Sequence, residues 1–264
     1  MTALTLSSGK HDLTIDPPWM NAAGFLGFSG EGRRLVELKR LGALVTHPVS
    51  LGPRSPAQGR RMIEYPGGFL LHTGLPGPGL AAVLRRHRRR WAALPCPVIL
   101  HLLAQSPAEV HRMADVLGGE DAVGGIEVGL GEARPAEAAA LVSAAQASTR
   151  PVLAHLPLDS PRDVALAAAG AGACALVLGP PRGAFHTPDG ASLRGRLFGP
   201  AILPLALRSL ERFLEVGKCP VVAGGGIYTR QAMESMFAAG ASAVQLDGIL
   251  WTEPEAVLGE RPAP

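Results

Sequence analysis

The chain has 264 residues, 47% of them hydrophobic and 18% charged, with a formal net charge of +3. That length suits one barrel-sized domain with a large core, and a charge this mild, spread over scattered arginines, does not argue for a nucleic-acid partner. No stretch is long enough to span a membrane and the N-terminal MTALTLSSGKHDLTI has no apolar run suited to a signal peptide, so a cytoplasmic protein is expected.

Taken in order, the chain opens on a hairpin from Leu4 to Ile15, turning at Ser8-Gly9. Eight short apolar runs follow: Trp19–Ala23, Leu44–Val49, Val98–Leu103, Gly125–Leu130, Val152–Leu156, Ala175–Leu178, Val221–Ala223 and Ala243–Leu246. They are continuous rather than alternating, as a parallel sheet buried on both faces requires. Helical patterns lie between them at Gly30–Leu41, Pro78–Ala93, Pro107–Leu117, Pro135–Ala147, Pro161–Ala169, Pro200–Val216 and Thr229–Ala239. Ser106-Pro107 and Ser160-Pro161 carry the N-cap and first-turn chemistry of helix starts. The alternation predicts an α/β fold, a parallel eight-stranded (β/α)8 TIM barrel with an N-terminal β-hairpin, in a single domain over 1–264 without a linker. The final helix must be short. Arg182 to Leu197 lacks apolar periodicity and reads as a long loop, of the kind used as lids or binding loops.

The run Arg85 to Arg90 on the second helical pattern reads as a solvated face or an anion-binding patch. Cys96, Cys174 and Cys219 are odd in number and never in CxxC spacing. That fits reduced, structural cysteines and argues against a disulfide framework or a zinc site.

The segment from Pro220 to Leu250 is the most informative. A short strand, Gly224-Gly225-Gly226, an amphipathic helix and a second strand ending in Asp247-Gly248 can bring backbone N–H groups onto an anion at helix N-termini. Paired βα units of this kind form the usual phosphate site of such barrels, whose active sites lie at the C-terminal strand ends. Those ends carry Asn21-Ala22-Ala23-Gly24, His47, His101, Glu127, His155, Gly179-Pro180, the glycine turn and Asp247-Gly248, while a separate loop from Pro66 to Leu75 adds His72. His47, His101 and His155, with Glu127 assisting, could serve as ligands of a divalent metal; no His-x-His pair stands on the first strand.

In these pieces the chain resembles the dihydroorotate dehydrogenase family, FMN flavoproteins on the same barrel. The resemblance runs over nearly the whole length. It is carried by Met20–Gly24, Leu41–Thr46, the Pro66-Gly-Gly and Thr73-Gly-Leu75 loop, Gly199–Ile202 with Pro204, Gly225–Ile227, and Gly240–Gln245. It implies an oxidoreductase acting on CH–CH bonds, in pyrimidine biosynthesis, with FMN as cofactor and a small-molecule substrate. By the resemblance Ala22, Ala23 and Gly24 run beside the flavin ring, with His47 and His155 close to it. Gly199, Gly225, Gly226 and Gly248 bring N–H groups to FMN, chiefly its phosphate, and His72, Thr73, Gly74 and Leu75 face the substrate.

The departures are equally specific. His47 and His155 stand where the family carries lysines, and His72 where it carries an asparagine. The Asn-x-Ser-x-Pro-Asn loop with its Cys or Ser base is replaced by Gly129–Arg134, and Leu178-Gly-Pro180 lacks the asparagine of the sixth strand. Glu132 falls near the missing base and is either its substitute, as the catalytic residue, or an acid favoured near a helix N-terminus. His155, if protonated, could still stabilise a reduced, anionic flavin. Asp247 takes a position usually filled by glycine, where its carboxylate would repel a dianion unless it points away. The same losses are what a catalytically degenerate barrel would show, one acting as partner subunit of an active paralogue. A homo-oligomer or a complex with a paralogue both stay open.

Overall fold

The computed structural model describes residues 2–31, 36–103, 106–186, 190, 192–217 and 219–260. Strands β1 (Leu4–Ser7) and β2 (Asp12–Ile15) form the expected antiparallel hairpin, with the Ser8 hydroxyl accepting from the His11 amide at 3.0 Å in the turn. Then come β3 (Trp19–Asn21), β4 (Leu44–Val45), a second hairpin of β5 (Met62–Tyr65) and β6 (Gly68–Leu71), and helix α1 (Leu80–Trp91). Three βα steps and a further strand continue with β7 (Val98–Leu102), α2 (Pro107–Gly118), β8 (Gly125–Gly129), α3 (Pro135–Ala145), β9 (Val152–Pro157), α4 (Arg162–Gly170) and β10 (Ala175–Gly179). A third hairpin, β11 (Arg182–His186) and β12 (Ser192–Phe198), precedes α5 (Leu203–Leu214), β13 (Val221–Gly224), α6 (Arg230–Ala238), β14 (Ala243–Leu246) and the short α7 (Ile249–Thr252) and α8 (Glu255–Leu258).

The barrel sheet runs β3-β14-β13-β10-β9-β8-β7-β4, every pair parallel. Its two edge strands meet at a seam held by a side chain. Asn21 donates through Nδ2 to the Val45 carbonyl at 2.6 Å and accepts from the Val45 amide at 3.0 Å through Oδ1. A buried amide side chain thus supplies the ladder bonds that the short β4 cannot.

Inside the barrel the inward residues change character from one end to the other. Met20, Val45, Ile99, Leu153, Val177 and Val222 form a buried apolar layer with Leu6, Leu13 and Ile15, so the N-terminal hairpin plugs one end. Two residues further along the same strands, period-two alternation brings His101, Glu127, His155 and Gln245 inward at the opposite, C-terminal end. A larger apolar layer lies between strands and helices.

All eight expected strands are present. Ser106 and Thr229 cap α2 and α6, accepting from Glu109 and Ala232 amides at 3.3 and 3.1 Å. Ser160 does not cap: Pro161 holds that position for α4. The helix expected at Gly30–Leu41 lies partly outside the described residues, and its described helical part is the 3-10 turn Leu38–Arg40. The loop expected at Arg182–Leu197 is instead the β11–β12 hairpin, and the 66–75 loop contributes β6. Together these strands make a four-stranded antiparallel sheet, β11-β12-β6-β5, over the barrel mouth. Its strands alternate exposed and half-buried positions without alternating apolar ones, because one face meets a polar cavity and the other meets solvent.

The α1 arginines Arg85, Arg86, Arg88, Arg89 and Arg90 are exposed, while Leu80, Val83 and Trp91 face the core. All three cysteines are free.

Candidate active site at the barrel mouth

The polar layer at the C-terminal end is a connected buried network. Glu127 on β8 accepts from His101 Nδ1 at 2.6 Å and from Gln245 Nε2 at 2.5 Å, and all three side chains are buried. Burial works to raise the Glu127 carboxyl, but the hydrogen bond and charge of His101, with Gln245 adding to them, hold it below the usual carboxylate range. The His101 ring meets His155 edge to face at 5.2 Å, and its buried Nε2 has no partner.

The space those imidazoles need is supplied by glycines on the neighbouring strands. Gly179 pairs one strand over from His155, and a Cβ there would collide with the His155 ring; a Cβ on Gly129 would lie 3.0 Å from His101 Nε2. The histidines on β7 and β9 and the glycines that end β8 and β10 are one packing solution. A side chain larger than hydrogen at 179 would not fit beside the His155 ring. Burial pushes the His155 imidazole down to about 3, so it is neutral at pH 7. Protonation, the condition on which His155 could stabilise a reduced flavin, is disfavoured by this environment. Glu127 acts against this shift, while His101 and then Arg196 add to it.

Between the mouth and the capping sheet lies a cavity of about 840 Å³, within the range of small-molecule and cofactor sites. Ala23, Gly24 and His47 line it from the barrel, and His72, Thr73, Gly74 and Leu75 from the loop after β6. Leu75 holds a positive φ of 50°, with its amide bonded to Thr73 Oγ1 at 3.1 Å. Ala22 lies behind, donating its amide to the Leu246 carbonyl at 2.7 Å. His47 directs Nε2 to the Pro76 carbonyl at 2.8 Å, and burial lowers its pKa. Glu132 reaches the cavity from an exposed turn ahead of α3, in an ion pair with Arg182 at 3.0 Å. Phe25, Phe198 and Trp251 form an aromatic wall, with Phe25 centred 5.2 Å from Phe198 and 4.5 Å from Trp251.

Behind that wall the two glycine turns differ. Gly225 and Gly226 have φ of 98° and 77°, and among the described residues no acceptor takes the buried amides of Gly225, Gly226 or Ile227. Buried amides left open side by side ahead of α6 are the fixed dipoles an anion requires. At the other turn Asp247 accepts from the Gly248 amide at 2.6 Å through Oδ1. Burial raises its carboxyl to about 7, and the Tyr228 hydroxyl and the Phe69 ring close over Gly248. Gly199 has φ of 127° and lets the end of β12 approach the Gly67-Gly68 backbone, so packing of the capping sheet explains it.

The structure therefore brings Ala23, Gly24, His47, the 72–75 loop and Glu132 around one cavity; His155, Gly199, Gly225, Gly226 and Gly248 do not line it, and Gly225 and Gly226 sit in a buried turn packed against Ile202 and Leu203. It does not gather His47, His101 and His155 as ligands: among the described residues no group of three metal-binding side chains could hold an ion. Sequence reasoning missed Arg54, Arg182, Arg194 and Arg196, which line the cavity from three separate strands and loops. The only trace in the chain is the alternation of arginine and glycine in Leu193–Leu197.

No family model matches the chain. Among curated proteins it is 33% identical over 252 residues to the dihydroorotate dehydrogenase B (NAD(+)) catalytic subunit of Desulforudis audaxviator, covering 88% of this chain and 82% of that protein. The catalytic subunit of the same name from Trichlorobacter lovleyi is 31% identical over 264 residues, covering 92% and 87%. Among solved structures, a FabK (M276A) mutant from Thermotoga maritima superposes with a TM-score of 0.54 at 15% identity, over 92% of this chain and 64% of that one. That structural likeness concerns the barrel. The sequence relatives define the class: the chain belongs to the dihydroorotate dehydrogenase family.

Proposed function

We propose that the protein is an FMN-dependent oxidoreductase of the dihydroorotate dehydrogenase type, acting on a small molecule whose recognition differs from the family's. The observation that carries this reading is the row of buried amides at Gly225, Gly226 and Ile227, without acceptors among the described residues, in a barrel whose mouth also carries a cavity of about 840 Å³. When bound, FMN supplies the acceptor for a hydride drawn from a saturated carbon–carbon bond. The open amides would hold its phosphate, and Ala23, Gly24 and the aromatic wall offer surfaces for its ring. The Gly248 amide is available to that phosphate only when Asp247 lets go of it.

The chain's own residues then divide the work. The capping sheet and the 72–75 loop exclude water and orient the substrate. Glu132 is the carboxylate placed to take a proton at the cavity rim. His101, Glu127 and Gln245 fix the floor without reaching the substrate. Since the curated relatives are named catalytic subunits, association with a further subunit belongs to this reading, as does a cytoplasmic setting. No helix among the described residues is long and apolar enough to cross a membrane.

Purified protein should be yellow and bleach anaerobically with dihydroorotate or a related dihydro acid, and Glu132→Gln should slow the bleaching at least tenfold. A second reading, a barrel that has lost its chemistry and serves a paralogue, is favoured by the capture of the Gly248 amide by Asp247. Colourless protein that refuses FMN and co-purifies with an active paralogue would decide for it.

A further inference from the structure

The cavity holds more positive charge than its acids neutralise. Among the described residues Arg54, Arg182, Arg194 and Arg196 line it, against the one carboxylate of Glu132, which is paired with Arg182 at 3.0 Å. Among the described residues Arg194 and Arg196 have no hydrogen-bond or ion-pair partner. Arg54 makes one long bond, 3.4 Å to the Gly74 carbonyl, and its Nε is buried without a partner.

This placement works against the fold. Arg182 and Arg196 stand directly opposite each other in the β11–β12 ladder, where like charges destabilise a sheet. Burial and the charge of Arg182 both disfavour the Arg196 cation, yet a guanidinium does not give up its proton inside a protein. The strain therefore stays in the apo fold until an anion relieves it. Guanidinium groups grip carboxylate and phosphate oxygens in pairs, which makes arginine the residue suited to such a ligand. Enclosure between the mouth and the capping sheet limits the ligand to a small molecule.

We infer that the cavity takes a small ligand bearing at least two anionic groups, carboxylate or phosphate, held by Arg196 and Arg54 with Arg194 at the rim. That the ligand is the substrate rests on the flavin oxidoreductase reading; the charge argument itself does not use the flavin.

Isothermal titration of the purified full chain, FMN-free and FMN-loaded, with succinate, citrate, pyrophosphate and orotate tests this. At least one polyanion should bind tenfold or more tightly than the monoanion orotate, with affinity falling steeply as sodium chloride is added. The carboxylate and phosphate arms tell which group is read. Arg196→Gln should weaken polyanion binding at least tenfold while raising the Tm, because it removes the opposition to Arg182; a purely structural arginine would lower the Tm instead. Orotate binding as tightly as every polyanion would overturn the inference, as would Arg196→Gln leaving polyanion affinity unchanged. So would polyanion binding that disappears on FMN loading, since the arginines would then serve the cofactor's phosphate. Arginine-dependent polyanion binding by a protein that takes up no FMN would sink the flavin reading and leave this one standing.

Discussion

The turns after β13 and β14 both carry glycine ahead of a helix, yet one is open and the other is filled. At the first, Gly225 and Gly226 turn through positive φ and leave buried amides without acceptors. At the second, Gly248 sits at φ −55°, an ordinary helical value, and its amide is held by the preceding Asp247. Glycine content alone cannot distinguish them. What decides anion binding is where the amides go, and a carboxylate one residue upstream is enough to occupy an amide meant for a ligand. One half of the glycine pair therefore keeps amides without acceptors, and at the other half an internal carboxyl occupies the amide.

Substitutions can break this contrast. The largest effect is expected from Gly226→Ala, since a Cβ there would run into the Leu203 backbone at a φ of 77°. The left-handed backbone and the overpacking together should cost about 2–5 kcal/mol, read as a lowered denaturant midpoint. For the same reason a charged residue at 226 would be a poor probe of phosphate binding, because it would unfold the turn first.

Next in size is the pH response of Asp247. Its carboxyl, raised by burial to about 7 from an ordinary 3.8, keeps its proton in the folded chain where the unfolded chain has lost it. Its contribution to stability is thus complete below pH 3.8 and fades as pH rises toward 7, by up to roughly 4 kcal/mol. His155 runs the other way, its folded value near 3 against an ordinary 6.5, so its contribution rises with pH across that interval. Comparing wild type with Asp247→Asn isolates the first slope: the variant should gain stability relative to wild type between pH 4 and 7. Parallel curves would mean that the carboxyl titrates normally.

Smaller again, Asp247→Gly frees the Gly248 amide and removes a carboxylate from the cradle, and should tighten FMN binding about tenfold, roughly 1.4 kcal/mol. Weaker binding in that variant would show that Asp247 helps to hold the cofactor. The smallest effect belongs to Gly248→Ala, where the added Cβ would collide with the Tyr228 hydroxyl and come within 3.0–3.1 Å of the Phe69 ring, both ends of side chains that can shift where the Leu203 backbone cannot. Its stability cost should stay under ~1 kcal/mol, which sets it apart from Gly226→Ala.

Most of the barrel was legible in the chain because strands buried on both faces leave continuous apolar runs, and β7 to β10 show them plainly. The capping sheet was not legible. Arg182–His186 and Ser192–Phe198 meet the core only at Leu197 and Phe198, so the pairing of β11 with β12 and of β12 with β6 leaves little hydropathy signal. At the site, residues on the strand ends could be read directly, whereas their states could not. The neutrality of His155 depends chiefly on burial, with His101 and Arg196, both distant in the chain, adding to it. The glycines at 129 and 179 make sense only once the rings of His101 and His155 are seen beside them. Which way Asp247 points was not legible either: its carboxyl turns onto the amide of the next residue, Gly248.

The central claim is that the open amides at Gly225, Gly226 and Ile227 receive the phosphate of a flavin. Its most direct test is the affinity of the FMN-free protein for FMN against riboflavin, which differs by lacking that phosphate, followed by fluorescence quenching of the flavin at pH 7. The account predicts that FMN binds at stoichiometry near one and at least about a hundredfold more tightly than riboflavin, an advantage of roughly 2.7 kcal/mol. Equal affinities, or no binding of either, would contradict it.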